Sequence, residues 1–219
     1  MSKDHNEADE LAKRLYREHK TVLDLFAKPS SSTGFEVAVR HLFGDASVRG
    51  KLVRIGNTNL VLSAVAKDHV SFLHAGWVRE LEKAKSTWKG CENWWAGYPL
   101  IAWVELRNGD DGISGSLKLN AEVGPVADRT VRQGIVEAVR VAAVTKDLKR
   151  IKFPDMPNEE RRLYSRFLHQ NALPVSNVRD PKAIEETLVG IISDFVPEFD
   201  LVTAVISQLH LPRDHSRQR

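Results

Sequence analysis

Cysteine is nearly absent from this chain of 219 residues: Cys91 stands alone. One thiol excludes an intramolecular disulfide and a cysteine-rich zinc site, and it fits a reducing, cytoplasmic setting. Long apolar runs are missing too. None approaches the ~20 residues that cross a bilayer, so no membrane association is expected. The opening residues, MSKDHNEADE, are polar and acidic, which sets aside a secretory leader. Charge of one sign is also lacking. Thirty-two Lys and Arg stand against 29 Asp and Glu, for a formal net charge of +3. A basic binding region must therefore be sought in how charge is distributed. P-loop, dinucleotide glycine fingerprint, GxSxG elbow and HExxH are all absent. What is present, 42% hydrophobic and 28% charged residues, is the composition of a globular chain long enough to bury a core.

Hydropathy patterning predicts an α+β fold in one domain over residues 1–210. Leu11, Leu15, Val22 and Phe26 recur at helical spacing and predict an N-terminal helix over 8–28. A short helix follows over 35–43, closed by Gly44. KLVRI (51–55) and LVLSAVA (60–66) flank Gly56-Asn57-Thr58-Asn59 and predict a hairpin. HVSFLHAGW (69–77) predicts another strand. PLIAWVELRN (99–108) and SLKLNAEVG (116–124), joined by GDDGISG, predict a second hairpin, half-buried by its alternation. Residues 50–124 are thus expected to form an antiparallel sheet of about four to five strands.

Residues 126–210 are expected to be helical. A long helix over 126–151 would bury Val131, Ile135, Ala138, Val139 and Ala142. FPDMP (153–157) breaks it, and a further helix is expected over 158–170. Asp180 and Pro181 open the next helix as N-cap and N1. Pro197 separates it from a final helix over 199–209, and residues 211–219 form a disordered tail.

Gly124-Pro125, where the second hairpin runs into the long helix, first suggests a phosphate cradle. Pro125 lacks an N–H, however, and Asp128 brings a carboxylate to the helix start, so a structural corner is the better reading. The histidines lack ligand spacing, and His69 and His74 would lie on opposite faces of a strand. Asp110 and Asp111 sit in a turn that favours aspartate for its conformation. Glu105 and Glu122 lie on the hairpin and could approach one another. Trp77, Trp88, Trp94 and Trp95, interleaved with Lys83, Lys85 and Lys89, suit a hydrophobic core first and a base-stacking surface second.

The strongest functional lead is basic charge. Between residues 129 and 152, Arg129, Arg132, Arg140, Lys146, Lys149, Arg150 and Lys152 face only Glu137 and Asp147. Arg129, Arg132 and Arg140 fall within about 80° around a helix. Arg161, Arg162 and Arg166 follow after the break, with Glu159 and Glu160 offsetting two of them. Arg129, Arg132, Arg140, Lys146, Lys149, Arg150, Arg161 and Arg162 are the candidate nucleic-acid contacts, since a basic face can track phosphates. No catalytic residue, cofactor or metal ligand is assigned.

Three stretches taken together carry a resemblance: "LAKRLYREHKTVLDLF" (11–26), "AKDHVSFLHAGW" (66–77) and "PLIAWVELRNGDDGISGSLKLNAEVGPVADRTVRQGI" (99–135). In that order they resemble the C-terminal half of a family of bacterial PD-(D/E)XK superfamily nucleases. Tyr16-Arg17-Glu18-His19-Lys20, Trp77, and Gly124-Pro125 with Arg132 are the counterparts. The catalytic core of those proteins precedes these elements and has no counterpart here, so no catalytic residue carries over. The resemblance implies a bacterial, non-catalytic accessory or nucleic-acid-binding module, with a role in defence against foreign DNA as an expectation.

Two alternatives stand beside it. One is a protein-interaction subunit, which would join a separately encoded nuclease core or form a homodimer through Ile184, Leu188, Ile191 and Ile192. The other is a divergent Mg²⁺-dependent nuclease using Glu105, Asp110, Asp111 or Glu122.

Overall fold

The computed structural model describes residues 33–44, 49–83, 88–154 and 163–209. The expected N-terminal helix and the C-terminal tail lie outside the described residues. In chain order the elements are α1 (Gly34–Phe43), β1 (Leu52–Ile55), β2 (Thr58–Val65), β3 (His69–His74), α2 (Ala75–Glu82), β4 (Leu100–Asn108) and β5 (Gly115–Val123). There follow α3 (Arg129–Thr145), β6 (Ser165–Arg166), β7 (Ala172–Val175), α4 (Pro181–Asp194) and α5 (Val196–Gln208). The fold is α+β.

One open antiparallel sheet of seven strands runs β1-β2-β3-β4-β5-β6, with β7 also on β5. Sequence patterning expects four to five strands. The difference is β6 and β7, which lie in the region expected to be helical. They pair with the outer edge of β5, β6 at Glu122 and Val123 and β7 at Gly115 to Lys118. Between them Leu119 N–H donates to Asn171 O and Phe167 N–H to Ala121 O. Without this cover a nine-residue edge of backbone polar groups would be left open. Residues 163–170 are therefore extended, and the helix expected over 158–170 is not formed in its described part.

The first hairpin is tighter than expected. Ile55 pairs directly with Thr58, so the connection is Gly56-Asn57 alone. Gly56 supplies the left-handed φ of +56° that so short a turn needs. Between β4 and β5, Asp111 Oδ1 accepts from Ile113 N–H (2.9 Å) and Ser114 N–H (2.8 Å). Those bonds hold its carboxyl below the usual carboxylate range. Asp111 thus shapes the turn.

The central hairpin is not half-buried along its length. Leu100 to Val104 and Leu119 to Val123 are buried on both faces. One face carries Phe72, Ala102, Val104, Leu119 and Ala121, in register across β3, β4 and β5. His74 shares that face and stacks on Phe199 of α5 at 5.7 Å, which identifies it as the face under the helices. Ile184, Leu188, Ile191 and Ile192 of α4 are buried in this core. They are therefore spent inside the chain and offer no anchor for a homodimer.

The long helix is shorter than expected. It ends at Thr145, and Asp147 turns the chain with φ +53°. Beyond it Ile151 bridges Leu168, and Phe153 packs on Phe167 at 5.4 Å. Those contacts draw residues 151–153 into extended backbone. The buried stripe of α3 is Arg132, Ile135, Val136, Val139 and Ala143, turned from the expected one. Ala138, Val141 and Ala142 instead line a groove of about 460 Å³ against Leu201 and Val205 of α5. No helix among the described residues is long and apolar enough to cross a membrane.

Candidate functional site

The basic residues do not form one helical face. Arg132 is 4% exposed. Its Nε lies 3.1 Å from Gly124 O and 3.2 Å from Leu163 O, and Nη2 donates to Ser165 Oγ at 2.7 Å. It ties the start of α3 to the end of β5 and the approach to β6. Arg140 is exposed and paired with Glu137 at 2.6 Å. Arg150 lies past the end of α3, bridged to Glu198 at 2.8 Å and set over Phe195 at 4.0 Å. Arg129, Lys146 and Lys149 are exposed, with Lys149 3.8 Å from Asp147. Arg161 and Arg162 lie outside the described residues.

The sheet face turned away from the helices carries a different constellation. Register places His69 of β3, Trp103 and Glu105 of β4, Asn120 and Glu122 of β5, and Arg166 of β6 on this side. Residues 88–99, ahead of β4, lay Trp95 on Trp103, with centroids 5.6 Å apart and planes at 18°. His69 meets the edge of Trp95 at 5.9 Å and takes its other contact from Asp68 at 2.9 Å. Arg166 lies over Trp103 at 4.9 Å and donates to Glu122 at 3.4 Å. The result is a chain of contacts, Asp68 to His69 to Trp95 to Trp103 to Arg166 to Glu122. Trp95 holds φ +41°, a left-handed conformation that costs a bulky side chain about 1–3 kcal/mol.

No family model, curated protein or solved structure matches the chain.

The three tryptophans of this face have different fates. Trp103 is buried, whereas Trp94 and Trp95 are half-buried, and Trp94 meets Tyr164 at 6.1 Å. Tyr164 is 49% exposed. Glu122 is the buried titratable group of the array. Burial pushes its carboxyl above the usual range, against the pull of the nearby Arg166 and Arg132 charges. Glu105 and Glu122 do not approach one another. Glu122 pairs with Ile101 and Glu105 with Lys118, about 13 Å apart along the strand. Glu105 is instead engaged by Arg107, and among the described residues no group of three or more His, Cys, Asp or Glu could hold a metal ion. Cys91 is buried, and its thiol is pushed up to about 12, first by burial and then by Glu92. It is no nucleophile at neutral pH.

Gly124-Pro125 is a corner, with Asp128 capping α3 through Thr130 N–H (2.8 Å) and Val131 N–H (3.2 Å). Gly124 has a second task. A Cβ there would lie 2.2 Å from the Trp94 ring, so the glycine seats the indole. Gly124→Ala is expected to lift Trp94 off the sheet and away from Tyr164. Tryptophan emission should shift to the red, with stability falling by about 1–3 kcal/mol. An unchanged spectrum would show that Trp94 does not rest there.

Sequence shows Arg166 as part of a basic stretch and Glu122 as a hairpin acid, but it does not join them to Tyr164, because the three lie on different strands and connections. The visible signal was the tryptophan cluster with interleaved lysines.

Proposed function

We propose that this chain is a non-catalytic module that binds an unpaired nucleic-acid strand, with the exposed aromatic surface of Trp94, Trp95 and Tyr164 as its stacking platform. The observation that carries this reading is the pair of half-buried indoles beside a half-exposed tyrosine, next to the exposed Arg166. Aromatic rings and cations are what a single strand needs: bases stack on the rings and phosphates meet the charges. Lys89 and Arg129 stand at the same corner, where Ala127 N–H donates to Lys89 O at 2.6 Å. This reading keeps the accessory role implied by the nuclease resemblance and moves the contact surface off the side of α3.

Fluorescence anisotropy with single- and double-stranded probes tests it. Single strands should bind more tightly, with log K falling against log salt by about 0.7 per neutralised phosphate. Trp94→Ala and Tyr164→Ala should each weaken binding about 5- to 150-fold. Absence of binding at low salt by the folded protein would defeat the reading.

A further inference from the structure

We propose that the space between Trp103 and Glu122, filled by Arg166, is a binding site for a guanine base, with the Arg166 side chain as its built-in stand-in. The inference rests on the single-strand reading and gives it a sequence preference. The Arg166 guanidinium is planar, lies over an indole at 4.9 Å and points its Nε–H at a buried carboxylate 3.4 Å away. Guanine has the same recognition features. Its N1–H, C2 and N2–H₂ reproduce the N–C–N donor fork of a guanidinium, on a flat ring that stacks on tryptophan.

The Arg166 contacts are loose enough to be exchanged. A strong charged pair closes to about 2.7–2.9 Å, and this one does not. The Arg166 side chain is 56% exposed and that of Glu122 only 10%. The arginine can therefore swing into solvent, or onto a phosphate, while the carboxylate stays buried. A buried carboxylate left without donors is costly, so a ligand entering here must bring donors.

Guanine brings two, for the two carboxylate oxygens. Asn120 is the next residue on the same face of β5. Its side-chain N–H makes a long bond of 3.4 Å to Lys118 O, and in this proposal it donates to guanine O6. Two acceptors beside one donor complement the guanine edge. Adenine turns an unprotonated ring nitrogen toward the carboxylate. Cytosine offers one donor group beside an acceptor, and uracil a single N–H between two carbonyls. Trp95 stacks on Trp103 as well, with centroids 5.6 Å apart.

The test uses the full chain and labelled oligouridines carrying one central guanosine, adenosine or cytidine, with oligouridine alone as the reference. The guanosine probe is expected to bind about 5- to 150-fold more tightly than the others. Glu122→Gln should erase that preference and leave the salt-dependent uridine binding. Arg166→Ala should keep the preference, because the stand-in is removed and the acceptors remain. Should E122Q fail to fold by circular dichroism, R166A carries the test, and loss of the preference in R166A overturns the proposal. Equal binding of all four probes overturns the guanine site but leaves the single-strand reading in place, whereas no binding of any probe ends both. Competition by GMP distinguishes the sources. GMP as tight as the oligonucleotide assigns the site to a free nucleotide, and much weaker GMP assigns it to a strand.

Discussion

Replacing Arg132 with leucine is expected to destabilise the fold by about 2–4 kcal/mol without touching the salt dependence of nucleic-acid binding. The stability loss follows from what the guanidinium satisfies. Gly124 O, Leu163 O and Ser165 Oγ take its hydrogen bonds in a nearly solvent-free position. A buried acceptor stripped of its donor costs about 1–3 kcal/mol. The sum is moderated because the leucine removes a desolvated charge as well. For a chain of this length the change should lower Tm by roughly 4–16 °C. The unchanged salt slope follows from burial, since a side chain that does not reach solvent neutralises no phosphate. If R132L melts with the wild type but loses about one phosphate in its salt slope, the arginine works at the surface and the buried geometry is wrong.

Arg132 also shows where sequence stops being informative. On a helical wheel it sits beside the apolar stripe, and a long cationic side chain at such a boundary usually turns outward. Its inward turn is decided by Leu163 and Ser165, more than thirty residues away, which no local pattern exposes. The same holds for β6 and β7. Their residues neither alternate nor carry a strand signature, and Pro174 argues against a central strand. They are strands because β5 has an outer edge to satisfy. Features that depend on local chemistry were legible. Asp180 caps a helix where its spacing places it, the two hairpins lie where turn residues separate apolar runs, and His69 and His74 point to opposite faces. The candidate site was half legible. Tryptophan clustering marked the connection from α2 to β4, but the partners that turn it into an array, Arg166 and Glu122, come from strands joined only by the sheet.

The basic stretch after α3 leads to the second large effect. Glu198→Leu is expected to cost about 3–5 kcal/mol, and combining it with Arg150→Met should restore much of that loss. Glu198 is 2% exposed at its side chain and Arg150 28%. Both carboxylate oxygens are used, each 2.8 Å from a guanidinium nitrogen. The same guanidinium donates to Asp194 O at 2.5 Å and lies over Phe195 at 4.0 Å. It thereby clamps the break between α4 and α5, where Phe195 ends one helix and begins the other. Removing only the carboxylate leaves a partly buried cation opposite an apolar side chain, while removing both leaves two apolar groups that can pack. The double mutant should therefore be more stable than E198L alone, a coupling readable by urea denaturation at two or more temperatures. Additive losses would show that the pair does not interact, and Arg150 would return to the list of cations available for phosphate. A coupled pair instead fixes Arg150 as part of the fold, and the positive charge that sequence gathers over residues 129–152 then divides between interior and surface at this residue and at Arg132.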